Sequence, residues 1–436
     1  MKKEKASHII GRMEISDFGK KLTERSGILS LMDDLGRPLP EGVTPYPLGG
    51  GNPARVEEVE RLYEERMKAM LESKEFLSVI SAYDAPQGRM TFLKDIASYF
   101  SKRYGWPVSE RNIAVTSGSQ MSMFFLFNLF SGIYGEGEKH ILFPLMPEYV
   151  GYADQSIYRN MMRSVPSRLE YYDDHSFKYI LDKGAVSSYL DEHDDVGAIA
   201  FSRPTNPSGN VLRDDEVQFL SSEAERHGIP LIIDNAYGLP FPSIIFSDAH
   251  ITWNENIILS MSLSKIGLPS IRTGIVVASE EVIEALSNIN AIVSLTAGSF
   301  GQALAGSLIA SGELERISRD VVMPFYKEKS ARCREYINTY FKGTDYYYHR
   351  SEGSIFIWLY LPGLRISSLE FYQKLKEKGV VTVPGEYSFY GSEEQLEGKA
   401  YPHPHYDKCL RLNYSADDEC VRNGIRIIAL LYREYS

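Results

Sequence analysis

The 436-residue sequence is short of several features that define whole classes of protein. It has three cysteines, Cys333, Cys409 and Cys420, and no C-x-x-C pair. Three scattered thiols cannot build a disulfide framework or a typical zinc site. No stretch reaches roughly 18 uninterrupted apolar residues, and the N-terminus lacks the apolar core of a signal peptide. We therefore expect a soluble cytoplasmic protein with no membrane partner.

Positive charge is also scarce. Lys and Arg number 47 against 58 Asp and Glu, which gives a net charge of −11 at pH 7. This balance argues against a nucleic-acid partner, because binding to phosphate backbones depends on Lys and Arg that displace counterions. The strings G-x-x-x-x-G-K-[ST], H-E-x-x-H and G-x-S-x-G are missing, so P-loop, zinc-protease and serine-hydrolase mechanisms lack their motifs.

Two local motifs are set aside. The stretch from Gly49 to Ala54 satisfies G-x-G-x-x-A, but prolines 45 and 47 precede it, and a dinucleotide site needs a strand at that place. His403 and His405 could contact a metal, yet two histidines between prolines are more typical of an exposed loop. We predict no metal site.

Short apolar runs alternate with helical patterns through most of the chain. Strands are predicted at 113–116, 140–143, 198–201, 230–234, 257–261 and 273–278, and helices from about Glu57, over 93–104, from near Ser119 and over 214–227. This alternation predicts an α/β fold with a parallel sheet covered on both faces.

The pattern of predicted helices and strands changes after Pro324. A charged helix is followed by the strands SIFIWLYL, VVTV and LRLNY and by two further helices. We therefore predict an N-terminal segment over 1–48 that packs on the small domain or on a partner subunit, a large domain over 49–325, and a smaller α+β domain over 326–436.

Three apolar strands end in polar residues of informative types. AIAFS leads to Asn206, PLIID leads to Asp234 and Tyr237, and IILSM leads to Lys265. Taken singly, each has an ordinary explanation as a turn, a cap or a solvated charge. Open α/β sheets, however, bind ligands outside the carboxyl ends of their strands. Together the residues supply what pyridoxal phosphate requires: an amine in Lys265, an anion for the ring nitrogen in Asp234, and donors to the ring oxygen in Asn206 and Tyr237.

A phosphate cradle is predicted where the strand 113–116 meets the following helix. Free N–H groups and the positive end of the helix dipole favour an anion there. The predicted cradle residues are Ser117, Gly118, Ser119 and Gln120, completed by Ser262 and Arg272.

The segments SLSKIGLPSIRTG, NPSG and DNAY resemble the fold-type I pyridoxal-phosphate aminotransferases of class I and II, and LGGGNPA and DNAYGLPFPSIIFSDA are similar to bacterial valine-pyruvate aminotransferases. The resemblance implies a three-layer large domain with a mostly parallel sheet, a smaller α+β domain, and a homodimer with shared active sites. It also implies a ping-pong transamination through Lys265, between valine or alanine and a 2-oxo acid such as pyruvate or 3-methyl-2-oxobutanoate.

The resemblance assigns further roles. Tyr149 would stack on the cofactor ring, and Tyr83 would reach the phosphate of the neighbouring subunit. Arg411, Asn206 and Gly51 would face the substrate; strand alternation places Arg411 opposite the leucines of LRLNY, and a guanidinium suits a carboxylate.

Two features depart from the family pattern. Arg272 follows Lys265 by seven residues, where many relatives have eight, and Ser270 stands where glycine is common. The segment 386–406, expected over the mouth of the site, is the least family-like.

Alternatives stay open. The same cofactor set serves decarboxylases, lyases and aminotransferases of aromatic or broad specificity. Aminotransferase-like domains also act as effector modules of transcription regulators, but the stretch before Gly49 is short for a DNA-reading domain, and the net charge is unfavourable.

Overall fold

The computed structural model describes residues 14–36 and 42–436. Its helices are α1 (Asp17–Leu22), α2 (Gly27–Gly36), α3 (Glu57–Glu72), α4 (Glu75–Ser81), α5 (Met90–Tyr104), α6 (Ser119–Phe130), α7 (Lys183–Glu192), α8 (Asp214–Arg226), α9 (Glu280–Ser294), α10 (Ser299–Ala310), α11 (Glu313–Ile317), α12 (Met323–Tyr340), α13 (Ser368–Glu377), α14 (Glu393–Leu396) and α15 (Asp418–Tyr435). Its strands are β1 (Tyr46–Pro47), β2 (Ile113–Thr116), β3 (Gly132–Tyr134), β4 (Gly137–Phe143), β5 (Met162–Ser164), β6 (Arg168–Tyr171), β7 (Ser176–Ile180), β8 (Val196–Ser202), β9 (Leu231–Asp234), β10 (Ile257–Ser262), β11 (Gly274–Val277), β12 (Tyr347–His349), β13 (Phe356–Tyr360), β14 (Val380–Val381), β15 (Val383–Pro384) and β16 (Cys409–Asn413).

The larger sheet has the order β2-β11-β10-β9-β8-β4-β3, with β5 also beside β4. Strands β5, β4, β8, β9 and β10 are parallel, as predicted, and every residue of β8, β9 and β10 is buried. Helix α6 packs on β4 and β10, and α8 packs on β8 and β9. The predicted α/β class with a mostly parallel sheet is confirmed.

Two strands, β11 and β3, are the antiparallel members of this mostly parallel sheet. Strand β11 runs antiparallel to both β10 and β2, and β3 runs antiparallel to β4. The chain returns from β10 to β11 through residues 263–273, which contain the short 3-10 turn Ser264–Ile266 and no longer helix. A parallel neighbour usually needs a longer crossover, most often one that contains an α-helix.

The second sheet has the order β15-β16-β13-β12-β7-β6 and is antiparallel except between β12 and β7. Strands β6 and β7 come from 168–180, inside the range predicted for the large domain, so this sheet joins the middle of the chain to its C-terminal part. The predicted run VVTV divides at Thr382: β14 pairs with β1, and β15 pairs with β16. The boundary between 325 and 326 stays a prediction.

The predicted N-terminal segment 1–48 is described except for 1–13 and 37–41. It contains α1 and α2, which the sequence pattern did not predict, and β1, which pairs with β14 near the C-terminal helices. Within the described ranges, no helix has both the length and the apolar character needed to cross a bilayer.

Candidate active site

The register of the larger sheet brings the predicted strand ends to one edge. Ser202 pairs with Asp234, which pairs with Ser260 on the next strand. On the other side of β10, Ser262 pairs with Gly274, which pairs with Thr116. The loops that follow β2, β8, β9 and β10 therefore open into one cavity, lined by Asn206, Tyr237 and Lys265 among others.

Lys265 lies in the short turn after β10. Its Nζ donates a hydrogen bond to the carbonyl of Gly51 at 2.7 Å and lies 5.4 Å from the ring centroid of Tyr237. Burial lowers the pKa of Lys265 to about 8, and the positive charges of Arg411 and Arg272 act in the same direction, while Asp234 opposes them. The surroundings thus favour the neutral, nucleophilic form of this amine.

Asp234 ends β9 and is buried. Its Oδ2 accepts a hydrogen bond from the Tyr152 hydroxyl, and its Oδ1 accepts one from the backbone N–H of Ala236 at 2.9 Å. Burial raises the pKa of the Asp234 carboxyl, and these two bonds oppose the rise because they stabilise the charged form. The carboxylate is therefore held in place for a cationic partner in the cavity.

The predicted phosphate cradle is a compact loop with an arginine against it. Gly118 has a φ of 89°, and a Cβ added there would collide with the guanidinium of Arg272. Arg272 itself has a φ of 47° and donates to Ser264 Oγ at 3.3 Å. Ser119 begins α6, so the free N–H groups of that helix point towards the same place.

Arg411, on β16, reaches the cavity from the second sheet. Its two terminal nitrogens donate to Asn206 Oδ1 at 2.7 Å and to the Gly49 carbonyl at 2.6 Å. Its Nε is buried without a hydrogen-bond partner, and burial lowers the pKa of the guanidinium to about 10. A buried, partly unsatisfied guanidinium is suited to bind a carboxylate.

The remaining predicted residues lie in three places. Gly51, Tyr149, Ser119, Gln120 and Ser262 line the cavity, whereas Ser117 and Gly118 lie in the adjoining loop. Tyr83 lies outside the cavity, with 82% of its surface exposed. The Tyr149 ring meets the Tyr152 ring edge-on, with centroids 5.1 Å apart.

The roof of the cavity differs from the expectation. Segment 386–406 does not line the cavity; instead, the Tyr390 hydroxyl donates to the Tyr149 carbonyl at 3.1 Å, which supports Tyr149 from behind. The side chains over the cavity come from α2. The pattern of 28–35 alone carries no signal of this role, because that role depends on contacts with distant segments.

His403 and His405 are also placed differently from the prediction of an exposed loop. Both are buried, and the Tyr179 hydroxyl lies 2.8 Å from His405 Nδ1. Burial lowers the pKa of His403 to about 4. Aromatic rings around the two imidazoles, rather than solvent, account for their position. In the described part of the chain, no group of three or more His, Cys, Asp or Glu side chains could hold a metal.

Further cavity residues were missed by the sequence reasoning. Tyr152 is one of 29 tyrosines, and only its contact with Asp234 distinguishes it. Ser202 and Ser264 follow the strand-end rule that identified their neighbours and could have been found by it.

The cavity fits pyridoxal phosphate by the chemistry of its donors. It combines an amine of lowered pKa, a buried carboxylate, an unpartnered guanidinium nitrogen, and a glycine loop at a helix N-terminus beside a second arginine. Few other groups require all of these at once.

Comparisons with known proteins agree with this geometry. The sequence profile of aminotransferase class I and II matches residues 48–428. The valine-pyruvate aminotransferase of Escherichia coli K12 is 41% identical over 420 residues, which covers 96% of this chain and 97% of that protein. The crystal structure of valine-pyruvate aminotransferase from Salmonella typhimurium LT2 is 39% identical, covers 94% of this chain and 99% of that one, and superposes with a TM-score of 0.84. A kynurenine aminotransferase of Pyrococcus horikoshii is 20% identical, covers 98% of each chain, and shares the fold with a TM-score of 0.77.

Proposed function

This chain belongs to the class I and II aminotransferases and is a pyridoxal-phosphate-dependent enzyme. From that premise we propose that it transfers the amino group between an aliphatic L-amino acid and a 2-oxo acid. The amino acid is valine or alanine, and the 2-oxo acid is pyruvate or 3-methyl-2-oxobutanoate. The two half-reactions follow each other in a ping-pong order. The observation that carries the proposal is the single cavity shared by Lys265, Asp234 and Arg411.

When bound, pyridoxal phosphate supplies the aldehyde that takes up the amino group and the ring that accepts electrons from Cα of the substrate. Lys265 would be the amine that holds this aldehyde at rest. Once free, its neutral Nζ would accept the proton that leaves Cα of the substrate. The lowered pKa of Lys265, about 8, raises the unprotonated fraction of this amine at pH 7 to about a tenth.

The other side chains of the cavity would orient the cofactor and polarise its ring. Asp234 would hold the proton on the ring nitrogen, Asn206 and Tyr237 would donate to the ring oxygen, and Tyr149 would pack against the ring face. We assign these roles because the side chains lie at one edge of the sheet, within the same cavity as Lys265.

Anion binding is divided between two arginines. Arg272, with the N–H groups at the start of α6, Ser117 to Gln120 and Ser262, would hold the phosphate. Arg411 would bind the substrate carboxylate, beside Asn206 and the Gly51 backbone. Charge-assisted hydrogen bonds of this kind contribute roughly 1.5–3 kcal/mol each.

The test is a half-reaction. Purified holoenzyme is mixed with L-valine or L-alanine in the absence of a 2-oxo acid, and the absorbance of the cofactor is followed. We expect conversion from the aldehyde to the amine form, release of one 2-oxo acid per site, and reversal by pyruvate. Release of carbon dioxide or ammonia instead would identify a decarboxylase or lyase and refute the proposal.

We further place the active enzyme in a cytoplasmic homodimer. Exposed apolar side chains lie on two segments: Leu77 and Ile80 on α4, shortly before Tyr83 in the sequence, and Ile292 and Leu295 at the end of α9. A hydrogen bond of 3.2 Å from Thr296 to the Ala85 carbonyl brings the two segments together. Such a patch is typical of a subunit interface, and a second copy would bring Tyr83 to the neighbouring phosphate.

A further inference from the structure

The cavity has a polar floor and an apolar roof. The roof consists of four side chains of α2, namely Ile28, Leu31, Met32 and Leu35. Their spacing of i, i+3, i+4 and i+7 places them on one helical face. Leu31 is 5% exposed. The methyl groups of Leu35 lie 3.8 Å from a Cβ built on Gly50. The next residue, Gly51, has the carbonyl that accepts the hydrogen bond from Lys265. The roof therefore lines the same cavity as Lys265 and approaches the backbone beside the carbonyl that this amine contacts.

Helix α2 is fixed at both ends. A Cβ built on Gly27, its first residue, would lie 3.0 Å from both Val150 and Tyr387. Near its other end, Asp34 accepts a hydrogen bond from the Tyr372 hydroxyl at 2.6 Å and pairs with Lys376 Nζ at 3.1 Å. Both partners belong to α13, so Asp34 ties the roof to the C-terminal part of the chain.

The charges around the cavity are already assigned. Among the described residues that line it, the cations are Lys265, Arg272 and Arg411. In the proposed function these serve the aldehyde, the phosphate and the substrate carboxylate. A substrate side chain that points towards α2 then meets only hydrocarbon, and a second carboxylate there would be desolvated without a partner.

We infer that the apolar face of α2, held by Asp34, is the surface against which the substrate side chain packs, and that it selects branched aliphatic amino acids over alanine and against acidic ones. This inference rests on the proposed function and names its specificity-determining element. Leu31 makes the contact, and Asp34 is a positioning residue that acts through α2. Each buried methylene is worth about fourfold in binding, so valine gains about fifteenfold over alanine.

The test uses single-turnover half-reactions of the holoenzyme with L-valine, L-alanine and L-glutamate. For Leu31→Ala we expect the valine-to-alanine ratio of second-order rate constants to fall about fivefold or more, through the saturation constant rather than the limiting rate. Leu29→Ala is the matched control, because Leu29 lies on α2, is 47% exposed and does not line the cavity. It should leave the ratio unchanged.

A second route leaves the roof side chains intact. Asp34→Ala should lower the ratio in the same way as Leu31→Ala, and Asp34→Asn, which still accepts from Tyr372, should restore part of it. The inference is overturned if Leu31→Ala and Leu29→Ala act alike, if Asp34→Ala leaves the ratio unchanged, or if L-glutamate reacts as fast as L-valine in the wild type. If the wild type converts neither valine nor alanine, the proposed function itself fails. If the wild type is active but the valine-to-alanine ratio is unchanged in the variants, only the inference about the α2 roof is refuted.

Discussion

Lys265 shows how single residues set the chemistry of this cavity. Burial and the charges of Arg411 and Arg272 lower the pKa of its amine from 10.5 to about 8. Below that pH the amine is protonated and unreactive, and above it the amine is free. The pKa of Lys265, the side chain that must accept a proton, is thus lowered in part by Arg411 and Arg272, the two arginines assigned to bind the anions.

This adjustment can be measured in the apoenzyme. We expect the acylation rate of Lys265, followed by mass spectrometry of its peptide after timed exposure to acetic anhydride, to rise with a midpoint near pH 8. Arg411→Met removes a cation and should move the midpoint upwards, whereas Arg411→Lys keeps the charge and should not. A wild-type midpoint near 10.5 would contradict the assigned surroundings.

Tyr152 gives a second prediction at this scale. Tyr152→Phe removes the hydroxyl that stabilises the charged Asp234, so the pKa of Asp234 should rise and kcat should fall about tenfold, a loss of about 1.4 kcal/mol. Tyr346→Phe is the control, because it also removes one hydroxyl hydrogen bond, to Asn338 Oδ1 at 3.0 Å, far from the cavity. Steady-state rates and thermal unfolding are measured for both variants. We expect the two to lose similar amounts of stability, but only Tyr152→Phe to have a lowered kcat. An equal kcat in the two variants would count against the role of Tyr152.

At the scale of elements, apolar runs predicted β8, β9 and β10 to within two residues at each end. The polar residues that end these strands followed from the same local pattern. Two features did not follow from a local pattern. The reversed direction of β11 depends on how the chain returns from β10. The position of α2 over the cavity depends on Tyr387, Tyr372 and Lys376, which lie more than 300 residues away in sequence. Periodicity reports which face of an element is apolar, not what that face covers.

The loop from β2 to α6 yields a prediction with a close control. Gly118→Ala and Gly105→Ala each place a side chain at a positive φ, 89° and 71°. Gly105→Ala should cost about 1 kcal/mol of stability, and Gly118→Ala should cost more, because its ψ of 157° lies in a region that is nearly confined to glycine. Only the Cβ at 118 meets Arg272, whereas nothing lies within 4 Å of the one at 105. Titration with pyridoxal phosphate should show at least tenfold weaker binding for Gly118→Ala alone. Equal affinities for the two variants would exclude the cradle.

For the whole molecule, the proposed dimer makes the next prediction. Ile292→Asp places a charge on a residue that is 87% exposed within the apolar patch, and should give a monomer in sedimentation experiments with weakened cofactor binding. Leu430→Asp, on α15 and 52% exposed, is the control and should remain dimeric. A dimer that survives Ile292→Asp would place the interface elsewhere.

The pairing of Arg411 with the Gly49 carbonyl joins residues 362 positions apart, and this has a consequence for biosynthesis. As the ribosome releases the chain, the loops that carry Lys265 and Asp234 emerge well before β16. The strand that delivers Arg411 is synthesised after both of them, so a nascent chain without β16 cannot hold a finished pocket. Catalytic competence therefore depends on β16 having joined the second sheet.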